Sequence, residues 1–230
     1  MGTRAELLEC LADAVGSVEP GHPTRVAIDG PPAAGKTTLA AELAELLRAR
    51  GREVVQATIE EFLTPRSVRY RRGEESAEGC YQDSFDFDAL HRVLLDPLGP
   101  GGDHRFQAAV YDKIADIALS PPVTTATADA VLVFDGVFLM RPELIDAWDL
   151  RVFISIAFEE GLDRARIRDR SASKSSADVE RKYRGRYIPS QRFYFETVHP
   201  TDLADIVVHN DQPQSPVWET RTRIGATMTP

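Results

Sequence analysis

Residues 30–38 read Gly30-Pro31-Pro32-Ala33-Ala34-Gly35-Lys36-Thr37-Thr38. Gly30, Gly35, Lys36 and Thr37 fit the spacing G-x-x-x-x-G-K-[ST]. Both flanks suit that motif. Arg25-Val26-Ala27-Ile28-Asp29 is a short apolar run that reads as a buried strand. Thr38 to Leu47 is a good helix former with a leucine stripe. In the order strand, glycine loop, helix, the backbone amides from Gly30 through Ala33, Ala34, Gly35, Lys36, Thr37 and Thr38 can curl round phosphate oxygens. The helix N-terminus adds its positive end. Lys36 reaches the outer phosphates and the Thr37 hydroxyl can bind Mg²⁺. A chance glycine-rich turn would need neither flank. The loop therefore predicts binding of a nucleoside triphosphate with Mg²⁺.

Working outward, the 230 residues are 43% hydrophobic and 27% charged. That is ordinary globular composition, and it predicts a single domain over 1–230, with a small lid over roughly 168–186 and a loose tail or edge segment over roughly 212–230. No apolar run approaches a membrane span. Acids interrupt the first fifteen residues, which read as an amphipathic helix and not a signal peptide. Cys10 and Cys80 give neither a disulfide framework nor metal-ligand spacing, so a reducing cytoplasm is expected. A net charge of −9 argues against a nucleic-acid binder. The expected partner is a small molecule, with no membrane and with homo-oligomer formation left open. The charge is uneven, however. Between Arg164 and Arg192 stand ten Lys or Arg against three acids, and Pro65 to Arg72 holds four arginines and no acid. Basic segments in an acidic chain with a phosphate loop suggest groups that close over polyphosphate.

Alternating apolar runs predict strands at 25–29, 53–57, 131–135, 151–156 and 205–209. Helices are expected at 4–15, 36–50, 87–95, 141–147, 158–170, 176–186 and 190–196. The extended run from Phe106 to Tyr111 reads as a strand outside the main sheet. Such alternation predicts an α/β fold of the P-loop NTPase type: three layers, a five-stranded, mainly parallel sheet, helices on both faces and a helical lid. Ligands in such sheets sit beyond the carboxyl ends of the strands. Two further strand ends carry acids there: Glu60 and Glu61 after Val54–Ile59, and Asp135 after Val131–Phe134. An acid so placed can hold Mg²⁺ or activate a nucleophile. The plainer readings are a solvated loop pair for the glutamates and a turn residue before Gly136 for Asp135. Which glutamate would act as base stays open.

In this ordered set the chain resembles the uridine kinase and phosphoribulokinase group of phosphate-loop kinases, and is most similar to its uridine kinase-like bacterial members. The resemblance runs from about residue 24 to 210. It rests on Val26–Gly30, Ile59–Phe62, Asp83–Asp88, Val110–Asp112, Phe134–Leu139, Arg164–Arg170 and Ala204–Val208. It implies ATP-dependent transfer of a γ-phosphate to a hydroxyl, foremost the 5′-hydroxyl of a nucleoside such as uridine or cytidine. It also implies that Glu60 activates the acceptor hydroxyl near Mg²⁺ and that Asp135 is a metal partner. Each acid is one methylene longer or shorter than the commoner residue there. By the same resemblance Asp86 holds ribose hydroxyls, Tyr111 contacts the acceptor, and Arg164 and Arg168 grip phosphates. Uridine-cytidine kinases carry a His soon after the Tyr-Asp pair. Here Asp116 stands near that place, a departure that bears on pyrimidine recognition and not on phosphate transfer.

The expected mechanism is in-line transfer by positioning and electrostatics, with Lys36, Glu60 and Arg168 catalytic. Arg69 and Lys174 are expected to meet the substrate. Within kinases the alternative acceptors are pantothenate or a sugar phosphate. A nucleotide-dependent switch is the competing class, but His209-Asn210-Asp211-Gln212 does not fit the guanine-reading Asn-Lys-x-Asp motif.

Overall fold

The computed structural model describes residues 2–170 and 175–221. Helix α1 (Arg4–Gly16) opens on a capping box, in which the Thr3 side chain accepts from the Glu6 amide and Glu6 reaches back to the Thr3 amide. Strand β1 (Thr24–Asp29) leads through the phosphate loop into α2 (Lys36–Ala49). Then come β2 (Val54–Thr58), β3 (Val131–Gly136), β4 (Leu150–Ser155), α3 (Phe158–Arg170), α4 (Ser176–Lys182), α5 (Ile188–Val198), β5 (Ile206–His209) and β6 (Val217–Thr220).

The main sheet runs β6-β5-β4-β1-β3-β2. The five expected strands are all present and mutually parallel. β6 adds a sixth, antiparallel to β5, with Val217 opposite His209. Of the two readings of 212–230, a loose tail or an edge segment, Val217–Thr220 takes the second: it closes the sheet edge, which a run of four residues can do with little visible periodicity. Residues 222–230 lie outside the described set.

Period-two alternation sorts the core into layers. Val26, Ile28, Val133, Val152 and Ile154 face Leu39, Leu43 and Leu47 of α2 and Leu7 and Leu11 of α1. Ala27, Leu132 and Phe134 face Phe62, Leu94 and Trp148 on the other side. Phe153 and Val207 pack beneath Tyr194 of α5. The parallel register sets Asp29 beside Gly136 and Thr58 beside Asp135, so the three strand ends that carry chemistry meet at one edge.

The expected helices are interrupted where the chain approaches that edge. Residues 87–95 form one α-turn, Phe87–Leu90, followed by a π-helical turn, His91–Leu95. Residues 141–147 hold only a 3₁₀ turn, Ile145–Ala147. Helix α4 stops at Lys182, and a π-helical turn, Tyr183–Tyr187, joins it to α5. The extended run beyond the sheet becomes two short hairpin pairings, Arg105–Phe106 with Thr124–Thr125 and Tyr111–Asp112 with Ile117–Ala118. The short helices Arg66–Arg69 and Ala77–Gln82 had no periodic signal.

Candidate active site

The phosphate loop is held in a conformation that only some residues tolerate. Gly30 and Gly35 have φ of +150° and +92°. A Cβ on Gly30 would lie 2.4 Å from the Ile154 carbonyl oxygen, so no side chain fits. Gly35 caps α2 with no side-chain bond to its first amides, leaving them directed at the loop. Asn210 steadies the loop from β5 by donating to the Ala34 carbonyl at 2.8 Å.

Behind the loop, Asp29 is fully buried. It accepts from the Gly30 amide at 2.6 Å, the Tyr194 hydroxyl at 2.6 Å and the Leu139 amide at 3.1 Å. The carboxyl thereby joins β1, the turn after β3 and helix α5. Burial pushes its pKa up to about 6, against the lowering effects of Tyr194, Gly30 and Lys36. Nothing in the sequence singled out this pair. A charged residue ending a buried apolar strand was the available signal.

Lys36 is buried, and its ammonium donates to the Pro31 carbonyl at 2.8 Å. Burial lowers its pKa to about 8, while Asp29, Asp135 and Glu60 hold it up. The Thr37 hydroxyl donates to Asp135 at 2.7 Å. Burial raises the Asp135 pKa, opposed by Thr37 and Lys36. A hydroxyl and a carboxylate in contact beside a phosphate loop form an oxygen-only pair, the chemistry a hard divalent cation accepts.

These groups open into a cleft of about 850 Å³. Its donor half is lined by Ala33, Gly35, Lys36, Thr37, Thr38, Asp135, Arg164 and Arg168. Gly30 and Ala34 shape the loop from behind and are not among the lining residues. Glu60, exposed at the end of β2, lines the cleft and is paired with Lys113, whereas Glu61 does not line it. Arg168 faces the cleft and acts electrostatically on Lys36. Arg164 lines the cleft too, though its guanidinium also bonds Glu160 at 2.9 Å and the Asn210 carbonyl at 2.8 Å. Lys174 lies outside the described residues.

Two expected substrate contacts stand elsewhere. Asp86 is solvent-exposed and caps the turn Phe87–Leu90 by accepting from the Ala89 amide at 2.8 Å. It does not line the cleft. Its acid was read as ribose-binding because an N-cap and a ligand-binding carboxylate look alike in sequence. Tyr111 is buried, and its hydroxyl donates to Asp116. Asp116 also sits 3.6 Å from Arg69 and 3.8 Å from Arg66, so it is occupied by protein partners. Arg69 itself lines the cleft and is buried.

The lysine-arginine surplus around the lid is largely paired. Arg166 bridges Asp163 and Glu180, and Arg184 bridges Glu159 and Glu180, tying α3 to α4 and the π-turn. Arg71 and Arg72 both meet Asp83. Among the described residues no helix is long and apolar enough to cross a membrane, and no three His, Cys, Asp or Glu cluster as a metal site.

Residues 25–212 match the cytidylate kinase-like family. The chain belongs to that family. Among solved structures, a possible uridine kinase from Bacillus stearothermophilus is 25% identical with a TM-score of 0.70, over 88% of this chain and 97% of that one. A candidate fructose transport system kinase from Silicibacter sp. is 21% identical with a TM-score of 0.69, over 82% and 94%. D-glycerate 3-kinase from Cryptococcus neoformans is 14% identical with a TM-score of 0.65, over 94% and 99%. No curated protein matches the sequence. The protein is thus a P-loop small-molecule kinase of the cytidylate kinase-like and uridine kinase-like structural group. Its family implies a nucleotide as one substrate.

Proposed function

We propose that the protein is an ATP- and Mg²⁺-dependent kinase that phosphorylates a hydroxyl of a small molecule. The observation that carries this reading is the contact of Thr37 with Asp135 beside buried Lys36, at the mouth of a cleft that also holds Glu60. The loop amides and Lys36 bind the donor phosphates. Thr37 and Asp135 would hold Mg²⁺, which when bound neutralises phosphate charge and orients the donor. Glu60 accepts the proton of the attacking hydroxyl. The new P–O bond forms as the bridging bond to the β-phosphate breaks, its electrons leaving on ADP. Lys113 keeps Glu60 directed into the cleft, and Arg168 offsets charge from the lid side. Water must be kept out or the donor is hydrolysed.

A nucleoside 5′-hydroxyl remains the first acceptor to test, with pantothenate and a sugar phosphate as the alternatives; Asp86 and Tyr111, the residues expected to meet it, are engaged with Ala89 and Asp116 here. ADP release with ATP, Mg²⁺ and a panel of uridine, cytidine, pantothenate and sugar phosphates tests the activity. Acceptor-dependent ADP release that vanishes in Lys36→Ala is the expected result. Absence of ATP binding by the folded wild type would remove the kinase reading.

A further inference from the structure

The cleft is also lined by Arg69, Tyr70, Arg186 and Gln191, and both of these arginines pack on the Tyr70 ring. Arg186 is 3% exposed. It donates to the carbonyl oxygens of Ser76 at 3.0 Å, Glu74 at 3.3 Å and Arg69 at 3.5 Å, and to the Ser84 hydroxyl at 3.2 Å. Every one of these acceptors is neutral. Among the described residues Arg186 forms no ion pair, although buried charges are ordinarily paired. Arg69 donates to the Thr64 carbonyl at 2.9 Å, and its carboxylate partner, Asp116 at 3.6 Å, is shared with Arg66. The two guanidinium carbons lie 5.0 and 5.4 Å from the centre of the Tyr70 ring. An oxyanion in the cleft would supply the counter-charge that Arg186 lacks.

Two further observations point to a ligand there. The side-chain oxygen of Gln191 is buried and has no hydrogen-bond partner among the described residues. Gln191 is 1% exposed and lines the same wall. Arg186 and Tyr187 are also delivered by the π-turn Tyr183–Tyr187, a local irregularity that commonly marks functional positions. Glu60, Tyr70 and Arg186 all act electrostatically on the Tyr187 hydroxyl, which sets this wall near the base that receives the acceptor's proton.

We infer that the acceptor carries an oxyanion, a carboxylate or a phosphate, besides the hydroxyl that is phosphorylated, and that Arg186 with Arg69 receives it while Gln191 accepts a hydrogen bond from a donor on the same molecule. This rests on the kinase reading above and names its substrate class. A planar guanidinium fork matches either oxyanion, so the geometry names their shared chemistry.

The test uses matched pairs that differ in the charged group: D-glycerate and glycerol, pantothenate and pantothenol, ribose 5-phosphate and ribose. Wild-type kcat/KM is measured for each with ATP and Mg²⁺, with ATP binding to wild type and Lys36→Ala followed in parallel. In at least one pair the anionic member should exceed the neutral one by at least about 100-fold, because a site built for a polar group rejects the analogue that lacks it. The carboxylate and phosphate pairs then say which oxyanion is read. Arg186→Gln should erase the preference by raising the acceptor KM while leaving the KM for ATP unchanged. Arg186→Lys, which keeps the charge and loses the fork, should fall between. A neutral member turned over as well as its anionic partner overturns the proposal, and so does a panel without turnover by protein that binds ATP. Failure of ATP binding itself would fault the kinase reading instead. The wild-type comparison decides the matter even where Arg186→Gln does not fold.

Discussion

The two halves of the cleft are built by different means. The donor half comes from one continuous stretch, Gly30 to Thr38, set on a buried strand, with Asp135 and Glu60 added at neighbouring strand ends. The other half is assembled from Arg69, Tyr70, Ser84, Phe138, Arg186 and Gln191, which come from a short helix, loops, a π-turn and α5, far apart in the chain. A donor site fixed by backbone amides admits little variation, since the loop must fit the same phosphates in any such protein. An acceptor site made of side chains on irregular segments can change residue by residue. The family's chemistry resides in the first half and its choice of substrate in the second.

Four outcomes would sharpen or break that division. The largest concerns Lys36. Lys36→Ala should lower kcat/KM by about 10³-fold, because a preorganised charge in a closed site is lost. Near-normal turnover by the folded variant would mean that the donor half is not where transfer is stabilised.

Next is the buried carboxyl beneath the loop. Folded Asp29 keeps its proton up to about pH 6, while the unfolded chain releases it near 3.8. Between those values the unfolded state gains by ionising and the folded state does not. Wild type should therefore lose about 3 kcal/mol relative to Asp29→Asn as pH rises from about 4 to 6, and no more above that. Denaturant unfolding of both proteins across that range measures the slope. Parallel curves would show that Asp29 is ionised in the folded protein throughout.

The two acids facing the cleft should separate by role. Glu60→Gln should cost about 10²-fold in kcat with ATP affinity kept, as for loss of a general base. Asp135→Asn should instead raise the Mg²⁺ concentration needed for half-maximal rate. The reverse pattern would exchange their roles.

The smallest effect belongs to Asp86. Asp86→Ala should cost about 1 kcal/mol of stability through loss of the cap on Phe87–Leu90, with acceptor KM unchanged. A raised acceptor KM with an unchanged melting temperature would return Asp86 to the substrate.

The same division explains what the sequence could tell. The parallel sheet and its helix-covered faces were legible because Val131–Phe134 and Val26–Ile28 are continuous apolar runs that suit strands buried on both sides, and because the phosphate loop fixes what precedes and follows it. Thr37, Lys36 and Asp135 were legible because a motif or a strand end placed them. Arg186 and Gln191 carry no such mark. Arg186 lies in a segment whose other cations, Arg166, Arg181 and Arg184, form surface ion pairs, and only the fold distinguishes the buried one. Asp86 is ambiguous for the opposite reason, since a cap and a substrate-binding carboxylate are the same acidic residue in the sequence. Strand β6 was legible only as one of two readings, because pairing with β5 gives it order that its own composition does not.

The π-turn at Tyr183–Tyr187 has a bearing on how such a protein can diverge. A π-turn holds one residue more than the α-turn it replaces. Each residue of an α-helix turns the chain by about 100°. Removing one residue here would therefore change the direction in which Arg186 and Tyr187 leave the backbone, while β1, the loop and α2 stayed as they are. The joint between α4 and α5 can thus alter one side of the cleft without touching the phosphate loop.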